Sequence, residues 1–272
     1  HLLVLIPLYI SHPRDPGCPV LQHISVLQAK LTCMDPLPVS ITEVYRTYAA
    51  GRPDLSGVLL PDLLPHDACD AVERKPGHVK VLFVAESPPW AAGRHEVTGP
   101  PDCLRPDYPY FWNDRYDRAA YRRGASPLSL GLAENLFLLL GLDGASRREN
   151  LDLFSGQGFY LVDTVKCVFR KNRKASIPNG LVRMSAREIL GREVAALAPE
   201  YVVSLGNTAL AGLREIEPYA SALSGAQTVT AIPREAFFEE NRLLCLPYPG
   251  WRNRRYLDRI ESGFASIRDL VS

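Results

Sequence analysis

The chain has 272 residues, 46% hydrophobic and 22% charged, and its 31 Lys and Arg against 30 Asp and Glu leave a formal net charge of +1. This apolar share supports a sizeable core and excludes intrinsic disorder; near-neutrality excludes a uniformly basic, histone-like binder but allows a local basic stripe that holds a phosphate backbone. No apolar run reaches the roughly 20 residues of a membrane span, and residues 2–10, interrupted by Pro7, lack the basic flank and cleavage site of a secretory signal.

Residues 1–77 are rich in proline and carry two helix-like stretches, 20–31 and 41–50. They read as an N-terminal extension packed on a main domain of residues 78–272. Regular patterning begins with the apolar run 79–85, a buried strand ended by Ser87-Pro88-Pro89. Residues 128–142 are long and apolar enough for a helix, with Gly141 near its end. A second strand at 159–165 leads into a basic loop, and 184–198 has helical spacing stopped by Pro199. The third strand, 201–205, meets Gly206-Asn207, which opens a helix to about Arg214. The fourth is 243–246, followed by a closing helix over 253–271.

Strands alternating with helices predict an α/β fold, a three-layer sandwich around a mostly parallel four-stranded sheet. Ligands in such folds sit at the carboxyl ends of the strands, which selects the loops 86–102, 166–178, Gly206-Asn207 and 247–255. No G-x-G-x-x-G or Walker lysine loop follows a strand, so a nucleotide cofactor is disfavoured. The six cysteines stand at 18, 33, 69, 103, 167 and 245, with no C-x-x-C and no zinc spacing. Cys167 and Cys245 lie in apolar runs and read as reduced, buried thiols, which suits a cytosolic protein. A monomer without metal or cofactor is expected.

Taken in order, the four loops resemble those of the uracil-DNA glycosylase superfamily. Val84-Ala-Glu-Ser-Pro-Pro89 looks like its first motif, and Leu161-Val-Asp-Thr-Val-Lys166 is similar to its Asn-bearing strand end. Val202-Val-Ser-Leu-Gly-Asn-Thr-Ala209 resembles its strand-to-helix turn. Pro247-Tyr-Pro-Gly-Trp251 occupies the place of its His-Pro-Ser loop. The resemblance covers about residues 79–272 and implies a DNA glycosylase, which flips out a base and hydrolyses its N-glycosidic bond.

The departures from the family pattern concern the substrate. Ser87 stands where the best-known branch has a water-activating Asp, and serine is not an anionic base at neutral pH. Glu86 is the nearest replacement, with Asp102 behind it; a brace for the turn is the competing role for Glu86. Pro89 replaces a Tyr that excludes a 5-substituent in relatives, so the wall facing C5 of the base opens. Asp163 replaces the Asn that reads uracil. An ionised carboxylate only accepts hydrogen bonds, so it repels uracil O4 and suits the N4 amino group of cytosine. Its competing role is to cap a loop or pair with Lys166. Phe111 is expected to stack on the flipped base, or else to serve the core, and Trp112 shares both roles.

Tyr248 replaces the histidine that assists the departing base, with Arg252 and Asn253 beside it. Trp251 is a candidate wedge for the gap left by the flipped base, and Asn207 a candidate DNA contact. Two basic clusters, Lys166, Arg170, Lys171, Arg173 and Lys174, and Arg252, Arg254 and Arg255, fall at the ligand face and form a phosphate-binding rim. Some relatives hold a four-cysteine iron–sulfur cluster. Cys167 matches one ligand, but no cysteine stands near 189–191 and the N-terminal pair is absent, so the cluster is read as lost and Cys167 as structural. The substrate expected is 5-modified cytosine, as in phage DNA carrying hydroxymethyl or glucosylated forms, with a role in antiviral defence. The alternatives are a uracil repair enzyme with a divergent pocket, or a non-catalytic DNA-binding module.

Overall fold

The computed structural model describes residues 40–68, 71–89, 108–116, 128, 130–170, 176–232 and 235–271. The helix expected at 20–31, Asp102, and Lys171, Arg173 and Lys174 lie outside the described residues. A compact unit extends from Ile41 to Ser272, so helix α1 (Ile41–Ala50) belongs to the same packed body as the sheet.

Four strands form the central sheet: β2 (Val81–Ala85), β3 (Phe159–Asp163), β5 (Tyr201–Leu205) and β6 (Leu243–Leu246). Their order is β3-β2-β5-β6, and every pairing is parallel. Strands covered on both faces read as continuous apolar runs rather than alternating ones, and β2, β3 and β6 are buried at every position. The chain leaves β2 for β3 on one side and returns to β5 on the other. The crevice at their carboxyl ends is therefore the topological switch point where such folds bind ligands. The first two strands are shorter than the sequence suggests, because pairing begins only at Val81 and stops at Asp163. A separate two-stranded sheet pairs β1 (Leu59–Leu60) with β4 (Val168–Phe169), antiparallel.

The helices are α2 (Pro65–Ala68), α3 (Leu132–Leu140), α4 (Arg147–Gly156), α5 (Asn179–Ser185), α6 (Gly191–Leu197), α7 (Asn207–Leu213), α8 (Tyr219–Ala222), α9 (Glu235–Asn241) and α10 (Leu257–Val271). Helix α3 is narrower than the apolar run 128–142. Leu128 sits at φ 71°, and Gly141, at the same φ, takes the left-handed C-cap that favours glycine. The helix expected at 184–198 starts earlier: a π turn, Ala186–Leu190, joins α5 to α6. The closing helix is preceded by a 3-10 turn, Trp251–Tyr256. Helix α4 was not anticipated, although its N-cap is legible: Ser146 Oγ accepts from Glu149 N–H at 3.2 Å, and Glu149 accepts from Ala145 N–H, one residue before the cap, at 2.7 Å, a variant of the capping box.

Two apolar clusters hold the layers. In the larger, Phe83 of β2 stacks on Phe264 of α10 at 6.1 Å and meets Phe154 of α4 at 5.6 Å. The smaller packs Tyr45 and Leu55 against Val165, Cys167, Phe169, Leu181 and Ile189, and so anchors α1 to the segment after β3.

Candidate active site

A cavity of about 820 Å³ opens at the carboxyl edge of the sheet. All four strands end at it: Glu86, Ser87, Pro88 and Pro89 follow β2, Asp163 closes β3, Gly206, Asn207 and Thr208 follow β5, and Tyr248 and Gly250 to Asn253 follow β6. Tyr110, Phe111 and Leu130 to Leu132 line it as well. Glu86, Ser87, Pro89, Phe111, Asp163, Asn207, Tyr248, Trp251 and Arg252, scattered over most of the chain, thus share one wall.

Asp163 is 4% exposed, and its Oδ2 has no hydrogen-bond partner. Burial is the main force on its carboxyl, pushing it up to about 7; Glu193 adds to the rise, while Lys166 and a hydrogen bond from Tyr110 oppose it. This changes the expectation of a permanent acceptor, because near neutral pH the group is present in both forms. A protonated carboxyl donates as well as accepts, as an amide does.

Lys166 does not stand on a phosphate rim. It is 3% exposed and ion-paired with Glu193 of α6. Its backbone N–H donates to Tyr45 Oη at 2.7 Å, the same hydroxyl bonds Ser185 Oγ at 2.7 Å, and Ser185 donates to Thr164 O at 2.6 Å. Thr164 Oγ1 in turn donates to Ala85 O at 2.7 Å. This buried network ties α1, α5 and β2 to the turn that carries Asp163. A buried ammonium without its carboxylate is costly, which is why the lysine turns inward.

Glu86 accepts from Thr208 Oγ1 at 2.6 Å, a bond that ties the β2 loop to the first turn of α7. Gly206 precedes that turn at φ 90°, and a β-carbon there would lie 3.2 Å from Tyr248 Cβ, so both backbone and space call for glycine. Tyr248 is 37% exposed, yet desolvation together with the Asp163 and Glu134 carboxylates pushes its hydroxyl up, leaving it a neutral donor. Asn253 Nδ2 holds Tyr248 O at 2.9 Å, and Asn207 Oδ1 accepts from Val229 N–H at 3.0 Å.

Phe111 lines the cavity and also packs on Trp112 at 4.9 Å and Phe154 at 5.1 Å, so it belongs to the core as well. Trp112 is fully buried, with Nε1 donating to Leu161 O at 3.0 Å, and belongs to the core. Trp251 is 58% exposed at the cavity mouth, and the Arg254 guanidinium lies 3.9 Å from its ring centre. Arg255 stacks likewise on Tyr256 at 4.7 Å. Arg170, at the end of β4, is exposed but does not line the cavity.

Sequence reasoning passed over the residues that fix the cavity's shape. Arg147 is largely covered, with 11% side-chain exposure, and pairs with Glu134. Its other bonds run to the carbonyls of Asn113 at 2.7 Å, Tyr110 at 2.7 Å and Phe111 at 2.9 Å, pinning the segment that carries Phe111. Asn135 Nδ2 donates to Pro249 O at 2.9 Å and Leu130 O at 3.1 Å, clamping the β6 loop. Polar Glu134-Asn135 within an otherwise apolar helix was the available signal. Cys167 is fully buried, with its thiol pushed up by burial, and among the described residues no three His, Cys, Asp or Glu side chains gather to hold a metal.

The family model of the uracil DNA glycosylase superfamily matches residues 74–269. No curated protein matches the chain.

Proposed function

The chain belongs to the uracil-DNA glycosylase superfamily, whose members act on DNA as hydrolases of N-glycosyl compounds, and on that premise we propose that it is a monofunctional glycosylase for 5-modified cytosine. The observation that carries this reading is the buried Asp163 carboxylate, with Oδ2 unpartnered in a cavity shared by all four strand ends. An acceptor there matches the N4 amino group of cytosine. Pro89 stands in the lining at the position where the resemblance places a Tyr, and in this reading the change opens the C5 side. The cavity of about 820 Å³ lies in the range of roughly 300–1,000 Å³ that holds drug-sized ligands, which leaves space for a substituent beyond the pyrimidine. Phage DNA bearing hydroxymethyl or glucosylated cytosine fits this preference, with antiviral defence as the role.

In the reaction the C1′–N1 bond breaks, and its electron pair leaves with the base. The sugar passes through an oxocarbenium-like state, and a water oxygen bonds C1′ from the side of Glu86 and Ser87. Glu86 takes the water proton, while Tyr248 donates to the base O2 and Arg252 offsets the developing negative charge. Among the described residues no lysine lines the cavity, so hydrolysis without a Schiff base is expected, and borohydride should trap no protein–DNA adduct.

Uracil is the second reading, and the Asp163 carboxyl near 7 favours it, since the protonated form offers the donor and acceptor of an amide. The test scores abasic sites from oligonucleotides carrying uracil, cytosine, 5-hydroxymethylcytosine and its glucosylated form. Wild type is expected to release the modified cytosines, and Asp163→Asn to shift preference toward uracil by tenfold to a hundredfold, about 1–3 kcal/mol. Ready release of uracil with none of modified cytosine refutes the substrate; binding without release of any base refutes the enzyme.

A further inference from the structure

Glu86 is held at both its backbone and its side chain. Its carbonyl accepts from Val165 N–H at 3.0 Å, and the preceding carbonyl, Ala85 O, accepts from Thr164 N–H at 2.9 Å, so the turn after β3 fixes the turn after β2. Its carboxylate Oε2 accepts from Thr208 Oγ1 at 2.6 Å, and both side chains are half-buried in the cavity wall. A threonine near the start of a helix ordinarily turns its hydroxyl to nearby backbone. Here the bond crosses instead to a residue 122 positions away.

The two segments joined by this bond are also anchored without it. Gly206 N–H donates to Leu246 O at 2.8 Å and Asn207 Oδ1 accepts from Val229 N–H at 3.0 Å, which fixes the first turn of α7. Farther along α7, a β-carbon on Gly212 would collide with Thr164 Cγ2, so glycine lets the helix lie against the β3 turn. Thr164 is kept from swinging aside by the bond from its Oγ1 to Ala85 O at 2.7 Å. With both segments seated in this way, the group on which the Thr208 hydroxyl acts is the carboxylate. Threonine is stiff at χ1, so the hydroxyl is presented in one direction, and a donor to a carboxylate favours the ionised form.

We propose that Thr208 is the positioning residue for the base: it fixes the plane of the Glu86 carboxylate and keeps it ionised, ready to take the proton of the attacking water. This holds on the reading of Glu86 as the group that activates water. Among the described residues, the other titratable or charged groups on the cavity wall are Asp163 at the end of β3, Tyr110, and Tyr248 and Arg252 after β6. Asp163, whose carboxyl burial pushes up to about 7, imposes a pH dependence of its own, so the Glu86 signal has to be read directly.

The test compares the full wild-type chain with Thr208→Val and Thr208→Ala, which lack the hydroxyl, and with Thr208→Ser, which keeps it. In one arm, without DNA, the glutamate carboxyls carry ¹³C and Glu86→Gln assigns the Glu86 signal. Loss of the hydroxyl should move the Glu86 midpoint upward by about one pH unit, a tenfold change in acidity, and Ser should stay near wild type. In the other arm, base release from the uracil and 5-hydroxymethylcytosine oligonucleotides is followed as a function of pH. Val and Ala should lower kcat about tenfold, change KM by less than about twofold and displace the acid limb upward, whereas a limb set by Asp163 stays in place. Alanine is the best helix former and suits the first turn of α7; if neither hydroxyl-free variant folds, the hydroxyl serves the fold and the inference falls. An unmoved Glu86 midpoint in a folded variant, or release by Glu86→Gln at the wild-type rate, overturns it as well. A moved midpoint with no base released by wild type upholds the hold of Thr208 on Glu86 and refutes the glycosylase reading. Release by wild type with an unmoved midpoint in the variants does the reverse.

Discussion

Asp163 carries a stability cost that follows from its position. Its folded carboxyl titrates near 7, whereas an unfolded aspartate titrates near about 3.9. Between those values the native state binds more protons than the unfolded chain, so stability falls as pH rises through the interval and levels off above 7. Asp163→Asn is therefore expected to stabilise the protein at pH 8 by about 2–4 kcal/mol, with the gain vanishing below pH 4. Urea unfolding of both proteins at pH 4, 6 and 8 measures this; a variant no more stable than wild type at pH 8 means the carboxylate is compensated. A group that weakens the fold where it is charged has its explanation in the cavity it faces. The Glu86–Thr208 bond is a milder case, a carboxylate braced at the head of a helix where backbone N–H groups point outward.

At the level of elements, α3 holds the site through two consecutive polar residues. Glu134 pairs with Arg147 of α4, and Asn135 reaches the loop after β6. Arg147→Met strands Glu134 at 7% side-chain exposure and releases three carbonyls, a loss of about 3–5 kcal/mol. Glu134→Leu combined with Arg147→Met should recover part of that loss, because the stranded charge is gone; a double-mutant cycle in urea reads the coupling. Asn135→Leu should cost about 1–3 kcal/mol for the carbonyls of Leu130 and Pro249, and should lower kcat more than it raises KM, because the loop bearing Tyr248 and Arg252 loses its anchor. Equal activity in the variant means that the clamp serves folding alone.

For the whole molecule, the net charge of +1 means that DNA affinity rests on local clusters. The 3-10 turn Trp251–Tyr256 carries Arg252, which lines the cavity, and Arg254 and Arg255 beyond it, all three exposed. Replacing the three with Ala is expected to weaken binding equally for every sequence, and to reduce the slope of log affinity against log salt by about 1 per lost phosphate contact. Lys166→Met provides the contrast: the slope should stay unchanged while stability drops, since Glu193 loses its partner. Fluorescence anisotropy across a salt series separates the two, and an unchanged slope in the arginine variant moves the DNA path to another face.

Much of this was legible along the chain. The four parallel strands announce themselves as apolar runs of four to seven residues, because a strand buried on both faces needs nothing else, and their ends carry the family's motifs because those turns are local. Asp163 and Glu86 were found for the same reason, and α4 was written in Ser146 and Glu149. Lys166 was misplaced because a lysine opening a basic run reads as solvated, and only the fold brings Glu193 to it from 27 residues away. The protonation of Asp163 depends on its burial and on Lys166, Glu193 and Tyr110, which reach it from separate elements of the chain. Sequence determines which groups exist and which turn each one occupies. The field and solvent at a group are summed over neighbours from the whole chain, so its charge is decided only when the tertiary structure has assembled them.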